Sequence, residues 1–294
     1  MKRSHLFPAW QDGKLKAFTM SYDDGVSSDI RLCELMRRHG VKGTFNINFG
    51  RIPDTVPETA KAWRKMTAAE CMKTYGDDME IAVHGNMHPY WTRLSDAAET
   101  ADILDDRRGL EQLFGRIIRG SASPNGDYDA DTVNALRACG IRYCRTTKRA
   151  EGFLFPKHFE DPLHGFLALP TTAHNTDENL FDKIESFLAG SPRRAGRWLF
   201  YLWGHSYEFP RDDSWGVIEK ALDLLGGRDD IWYATNIEIF DYEQAVRSLR
   251  FNVDQTMVEN PSALDVFLRV STEPSGDTVR VPAGQTVALP AVIG

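Results

Sequence analysis

Short apolar stretches of strand character alternate with helix-like stretches through the first 250 residues, and the most reactive side chains stand where the strands end. Leu15-Lys-Ala-Phe-Thr-Met-Ser-Tyr22 reads as a strand that stops at Asp23-Asp24, and Met79-Glu-Ile-Ala-Val83 as one that stops at His84. Further strands are expected at 41–48, 117–118, 141–146, 166–169, 198–203 and 231–234. Helices fit between them. Ser27 or Ser28 can cap a helix through Ile30, Cys33 and Met36 that stops at Gly40. Thr67-Ala-Ala-Glu70 is a capping-box pattern, and its helix ends at Gly76. Ser95 opens a longer helix that ends at Gly115, and others are expected at 131–139, 178–188, 215–225 and 237–249. Seven or eight such βα units imply an α/β fold with a parallel sheet, most simply closed as a barrel. Right-handed crossovers then put every strand's C-terminal end on one rim, where barrel enzymes keep their chemistry.

On that rim, His84 and His88 in Glu80-Ile-Ala-Val-His-Gly-Asn-Met-His88 are spaced to aim two imidazoles at one point. A carboxylate from Asp23-Asp24 can complete a facial set of two His and one carboxylate, the usual cradle of a catalytic divalent metal with open positions. Each piece alone is weak. An H-x3-H pair often arises by chance, and Asp-Asp-Gly is commonly a turn. Their placement at successive strand ends is what joins them into a metal-dependent hydrolase reading.

Thr19-Met-Ser-Tyr-Asp-Asp-Gly25, His84-Gly-Asn-Met-His88 and Trp203-Gly-His205 resemble the motifs of the polysaccharide deacetylase superfamily (NodB homology, carbohydrate esterase family 4-like), over roughly residues 15–245. The resemblance implies a deformed (β/α)7 barrel that removes acetyl groups from N- or O-acetylated sugars with one divalent metal, zinc first among the candidates. It implies Asp23 as catalytic base, Asp24, His84 and His88 as metal ligands, and His205 as general acid. Asp23 and Asp24 can both face the site only if the chain turns between them, which Gly25 permits. A backbone N–H near Tyr128 is expected to meet the developing oxyanion, and Trp91 or Trp203 to form a wall against the sugar ring.

Two motifs depart from the family pattern. Ser123-Pro-Asn-Gly126 aligns with the end of the third motif, but Ala122 stands where its arginine should be. Arg119 is the expected substitute. The Asp-Trp pair that supports the acid histidine is not recognisable, and His174 and Glu208 are the candidates to replace it. These losses keep two other readings open: a hydrolase of cyclic amides or ureides on the same fold, and an inactive carbohydrate-binding member.

The net charge of −7 argues against nucleic acid as a partner. Asp105-Asp-Arg-Arg108 reads as a solvated helix face. Cys33, Cys71, Cys139 and Cys144 have no C-x-x-C spacing and are expected as buried thiols. No run reaches membrane-spanning length and the N-terminus lacks a signal-peptide core, so a cytoplasmic protein is expected. After residue 250 the chain turns to short β-branched runs with Pro and Gly between them. The expected division is a barrel over 1–250 and a small β appendage over 251–294, which either packs on the barrel or mediates a homo-oligomer. The expected partner is an acetylated sugar or glycoconjugate.

Overall fold

Lys16–Asp23 (β1) is buried at all eight positions, as a strand must be when side chains cover both faces of its sheet. Its alternate residues divide the labour. Phe18, Met20 and Tyr22 pack outward under the helices, in the main apolar core. Ala17, Thr19, Ser21 and Asp23 take the other parity and face the barrel interior, where Thr19 meets Asn236 and Ser21 meets Asn46. The computed structural model describes residues 6–56, 63–155, 160–161, 166–192, 196–270 and 277–290.

Seven parallel staves surround that interior. After β1 come Gly43–Ile47 (β2), Glu80–Val83 (β3), Gly120–Ala122 (β4), Tyr143–Arg149 (β5), Phe166–Thr171 (β6), Ala173–His174 (β7) and Trp198–Gly204 (β8). The sheet runs β6-β5-β4-β3-β2-β1-β8-β7. Only Thr172 separates β6 from β7, so the two ends of the sheet are one interrupted strand and the barrel closes through it. Thr172 supports the closure from both sides. Its N–H donates to Tyr201 O at 2.9 Å, and its hydroxyl accepts from Tyr201 N at 3.0 Å. An additional short strand, Ile231–Tyr233 (β9), pairs with the lower half of β1 while β2 pairs with the upper half. Two strands thus share one edge of β1, and the barrel is deformed there. The deformed (β/α)7 barrel expected from the sequence is what the chain forms.

Helices cover the barrel at Asp29–Arg38, Ala68–Tyr75, Asp96–Phe114, Ala130–Ala138, Leu180–Ala189, Trp215–Leu225 and Asn236–Ser248. The Thr67–Glu70 capping box is formed, and Ser95 accepts from Ala98 N. Ile117 is three-quarters exposed rather than in a strand, because pairing with β3 and β5 begins three residues later. All four cysteines are free and buried. Among the described residues no helix is long and apolar enough to cross a membrane.

Beyond the barrel lie two three-stranded antiparallel sheets. One joins Arg250–Phe251, Met257–Glu259 and Thr286–Ala288. The other places Val266–Arg269 between Thr278–Val281 and Phe7–Pro8. The chain's N-terminal strand therefore pairs with its C-terminal segment rather than with the barrel. Val258, Val266, Leu268 and Val281 form a small core there with Ala245 of the last barrel helix.

Candidate active site

The barrel interior is a column of polar groups that rises to the C-terminal rim. Asp23 is the last residue of β1 and is buried. One carboxylate oxygen accepts from Asn46 Nδ2 at 2.8 Å, and the other from the Arg145 guanidinium. Burial by itself would raise the Asp23 pKa, but Arg145, with His84 and His205, outweighs it and holds the carboxyl well below the usual range. Asp23 is therefore ionised at any ordinary pH.

The turn that follows uses Asp24 as well as glycine. Asp24 has φ 83° and Gly25 φ 60°, which swings the Asp24 side chain to the rim next to Asp23. Lys65 binds the Asp24 carboxylate at 3.0 Å and also donates to Asn48 Oδ1 at 3.0 Å. Asn48 in turn donates to the carbonyls of His84 and Gly85, at 2.7 and 3.0 Å.

His84 begins the loop after β3. Its Nδ1 lies 2.8 Å from Ala122 O, and a carbonyl can only accept, so Nδ1 carries the proton and Nε2 presents a lone pair. Burial pushes its pKa down to about 4, against the pull of Asp23 and Asp24, which keeps the ring neutral. Gly85 at φ 73° continues the loop, where a Cβ would come within 2.8 Å of Pro124. His88, at φ 58°, then returns its ring to 4.8 Å from that of His84. One ligand atom from each of Asp24, His84 and His88 lies within 4.8 Å of the other two. Two neutral imidazoles and one carboxylate, with a fixed tautomer on His84, are a donor set that fits a divalent transition metal.

His205 stands across the rim just beyond β8. Its Nε2 is 3.9 Å from Asp23 Oδ2, and Asp23 Oδ2 is 3.7 Å from His84 Nε2. Glu208 lies behind it, 3.5 Å from His205 Nδ1, and accepts from His205 N at 3.2 Å and Asn175 Nδ2 at 3.0 Å. His174 Nε2 approaches Glu208 at 3.6 Å. Burial opposes a charge on His205, but Glu208, Asp23 and Asp24 outweigh it and raise the pKa above that of free histidine.

The rim thus gathers Asp23, Asp24, His84, His88 and His205, with His174 and Glu208 beside them. Arg119 is elsewhere. It forms a two-pronged pair with Asp241, at 2.8 and 2.7 Å, on the outside of the barrel. The arginine on Asp23 is Arg145, which pairs in register with Ala122 across β4 and β5. An arginine is present at the expected level but is carried by the neighbouring strand. Trp91 is fully buried and donates its indole N–H to Asp102 at 3.0 Å, so it has no face to offer a sugar. Trp203 is partly exposed and shelves the Arg145 guanidinium at 4.5 Å, with the His174 ring edge-on at 4.5 Å. Tyr128 lies under the Lys148 ammonium at 5.6 Å. Asp106 is not on a solvated face. It is buried and accepts from Phe49 N and His84 N at 2.7 and 2.9 Å.

Arg145, Asn46, Asn48 and Lys65 escaped the sequence reading. A signal for three of them exists in the two-residue rhythm of the inward positions: Thr44, Asn46 and Asn48 in one strand, Tyr143 and Arg145 in another. Lys65 carries no such signal.

Residues 11–144 match the family model described as polysaccharide deacetylase. The fold is shared with several solved structures. A Pseudomonas aeruginosa PAO1 protein described as a probable polysaccharide deacetylase is 15% identical with TM-score 0.56, over 76% of this chain and 89% of that one. PuuE allantoinase is 15% identical with TM-score 0.57, over 80% and 92%. The chitin deacetylase of Colletotrichum lindemuthianum is 16% identical with TM-score 0.50, over 79% and 89%. At these identities the likeness is one of fold. No curated protein matches the chain in sequence. Fold and sequence point the same way: residues 11–144 match the polysaccharide deacetylase model, and the chain folds as the α/β barrel that those solved structures share.

Proposed function

We propose that this protein is a metal-dependent hydrolase that removes acetyl groups from an N- or O-acetylated carbohydrate. The observation that carries this reading is the convergence of Asp24, His84 and His88 ligand atoms within 4.8 Å, with Asp23 and His205 side by side next to them. Those three residues would hold one divalent ion, with zinc the best match to the donors. Bound there, the ion would supply Lewis acidity and lower the pKa of water.

The chain's own groups carry the proton traffic. Asp23 takes the proton of the attacking water. Its two hydrogen bonds, from Arg145 and Asn46, fix the carboxylate so that its remaining lone pairs face the cleft. His205 donates a proton to the departing nitrogen or oxygen, and Glu208 keeps that proton on the ring until the bond breaks. His174 holds Glu208 from behind. Trp203 walls the pocket, and a backbone N–H near Tyr128 steadies the oxyanion.

Elemental analysis and an acetate assay test this together. About one zinc per chain is expected, lost in His88→Ala while the fold is retained, with acetate released from acetylated sugars by the wild type only. A wild type that takes up no metal on reconstitution would overturn the proposal.

A further inference from the structure

A cleft of about 380 Å³ opens beside Asp24, within the size range of small-ligand sites. Besides Val26, its walls are the charged and aromatic side chains of Asp24, Arg51, Trp63, Lys65, Tyr207 and Arg211. Three of those six side chains are cationic and one is acidic, in a chain whose overall charge is −7. The Lys65 charge is matched by Asp24 at 3.0 Å. The Arg211 charge is met by Asp212, through Nε at 2.7 Å and Nη2 at 2.6 Å. Arg51 has no ion pair among the described residues, so a guanidinium is left over inside the cleft. Trp63 and Tyr207 form its aromatic wall, with ring centroids 5.0 Å apart and planes 31° from parallel. The Tyr207 ring also lies 5.1 Å from that of His205, so this wall adjoins the acid histidine.

We propose that this cleft is a subsite for an anionic sugar, one carrying a carboxylate or a sulfate ester, on the ring next to the acetylated one. The aromatic wall takes the apolar face of the ring, and Arg51, with Arg211, takes the oxyanion. Guanidinium suits that role because its planar fork matches an oxyanion with two hydrogen bonds at once. Position relative to an acetylated ring rests on the deacetylase reading above; recognition of the anion does not.

The test is a binding panel on the full chain. Glucuronate, galacturonate and glucose 6-sulfate would be titrated by calorimetry against glucose and galactose as neutral twins. At least one acid is expected to bind about tenfold more tightly than its twin, the scale of one charge-assisted pair. That preference should collapse in Arg51→Gln and shrink in Arg211→Gln, both exposed positions whose replacement leaves the core untouched. Salt near ~0.5 M should erase it. Uronate and sulfate arms identify which oxyanion is preferred. No acid favoured over its twin, or a preference unchanged in both variants, overturns the subsite. A parallel acetate assay on N-acetylglucosamine and acetylated xylose keeps the two proposals apart. Acid preference without acetate release from any sugar would sink the deacetylase and leave the subsite standing; acetate release without acid preference would do the reverse.

Discussion

Asp23 owes its state first to Arg145, with His84 and His205 beside it, and Arg145 sits one strand over from where a contiguous motif would be sought. The residues of the first two motifs were legible because each lies in a single run of chain, and a run fixes its own local geometry. The arginine was not, because it reaches Asp23 through the register of β5 on β4, which depends on pairing and not on spacing in the chain. Arg145→Gln should lower kcat by about 10–100-fold, the usual cost of losing a group that orients a catalytic one, with metal content unchanged. Arg119→Gln should leave kcat as it is and shift stability by no more than about 0.5 kcal/mol, since its pair with Asp241 is half-exposed. Comparable losses in the two variants would return the role to Arg119. His205 makes a separate prediction. Its pKa is raised, so the proton it must donate is present below that pKa and lost above it. Glu208→Gln removes the nearest negative charge, and the alkaline limb of kcat/KM should move to lower pH. A limb that stays in place would mean that Glu208 is only structural.

The helix Asp96–Phe114 shows what an element can supply from behind a site. Asp102, Asp106 and Gly109 lie on one face of it, at the spacing that puts side chains in a row. Asp102 accepts from Asn86 N and Met87 N at 3.1 and 3.3 Å, and Asp106 from His84 N. The backbone of the histidine loop therefore hangs from two carboxylates. Gly109 lets the Phe49 ring approach so closely that a Cβ would come within 2.1 Å of it. The sequence showed the helix and its Ser95 cap but hid this face, because two acids and a glycine break the apolar rhythm that marks a buried side. Asp106→Ala strands the buried His84 N–H, at about 1–3 kcal/mol, and the partly buried Phe49 N–H, at less. It should lower Tm and weaken metal binding by about tenfold or more. Asp105→Ala, one residue away and paired only with Arg108 at the surface, should do neither. Equal metal affinity in both variants would show that the loop holds itself.

For the molecule as a whole, the alternation of strands and helices was enough to read a closed α/β barrel, because each unit must bury its apolar side against the next. What it did not reveal is how the barrel's lower end is filled. Glu80, at the start of β3, accepts from Tyr143 Oη at 2.7 Å, Thr44 Oγ1 at 2.7 Å and Ile237 N at 2.9 Å. One carboxyl thereby ties β2, β3 and β5 to the last helix of the barrel. Burial raises its pKa to about 7, against the hydrogen bonds that favour the charge. In the unfolded chain the same group ionises near 4.5. Below that pH both states are protonated and the contribution to stability is complete. Between about 4.5 and 7 the unfolded chain alone gives up the proton, so stability falls with rising pH, by at most about 3 kcal/mol for a shift of this size. His84 acts oppositely over part of that window, since its depressed pKa makes stability rise with pH there. The difference between wild type and Glu80→Gln isolates the carboxyl from that background. Unfolding free energies measured in urea at pH 5 and pH 8 should fall more steeply for the wild type, and the Gln variant, unable to ionise, should show a flatter or reversed dependence. Identical slopes would mean that Glu80 is already ionised in the fold, and that the barrel's lower end is held by a charge rather than by a neutral acid.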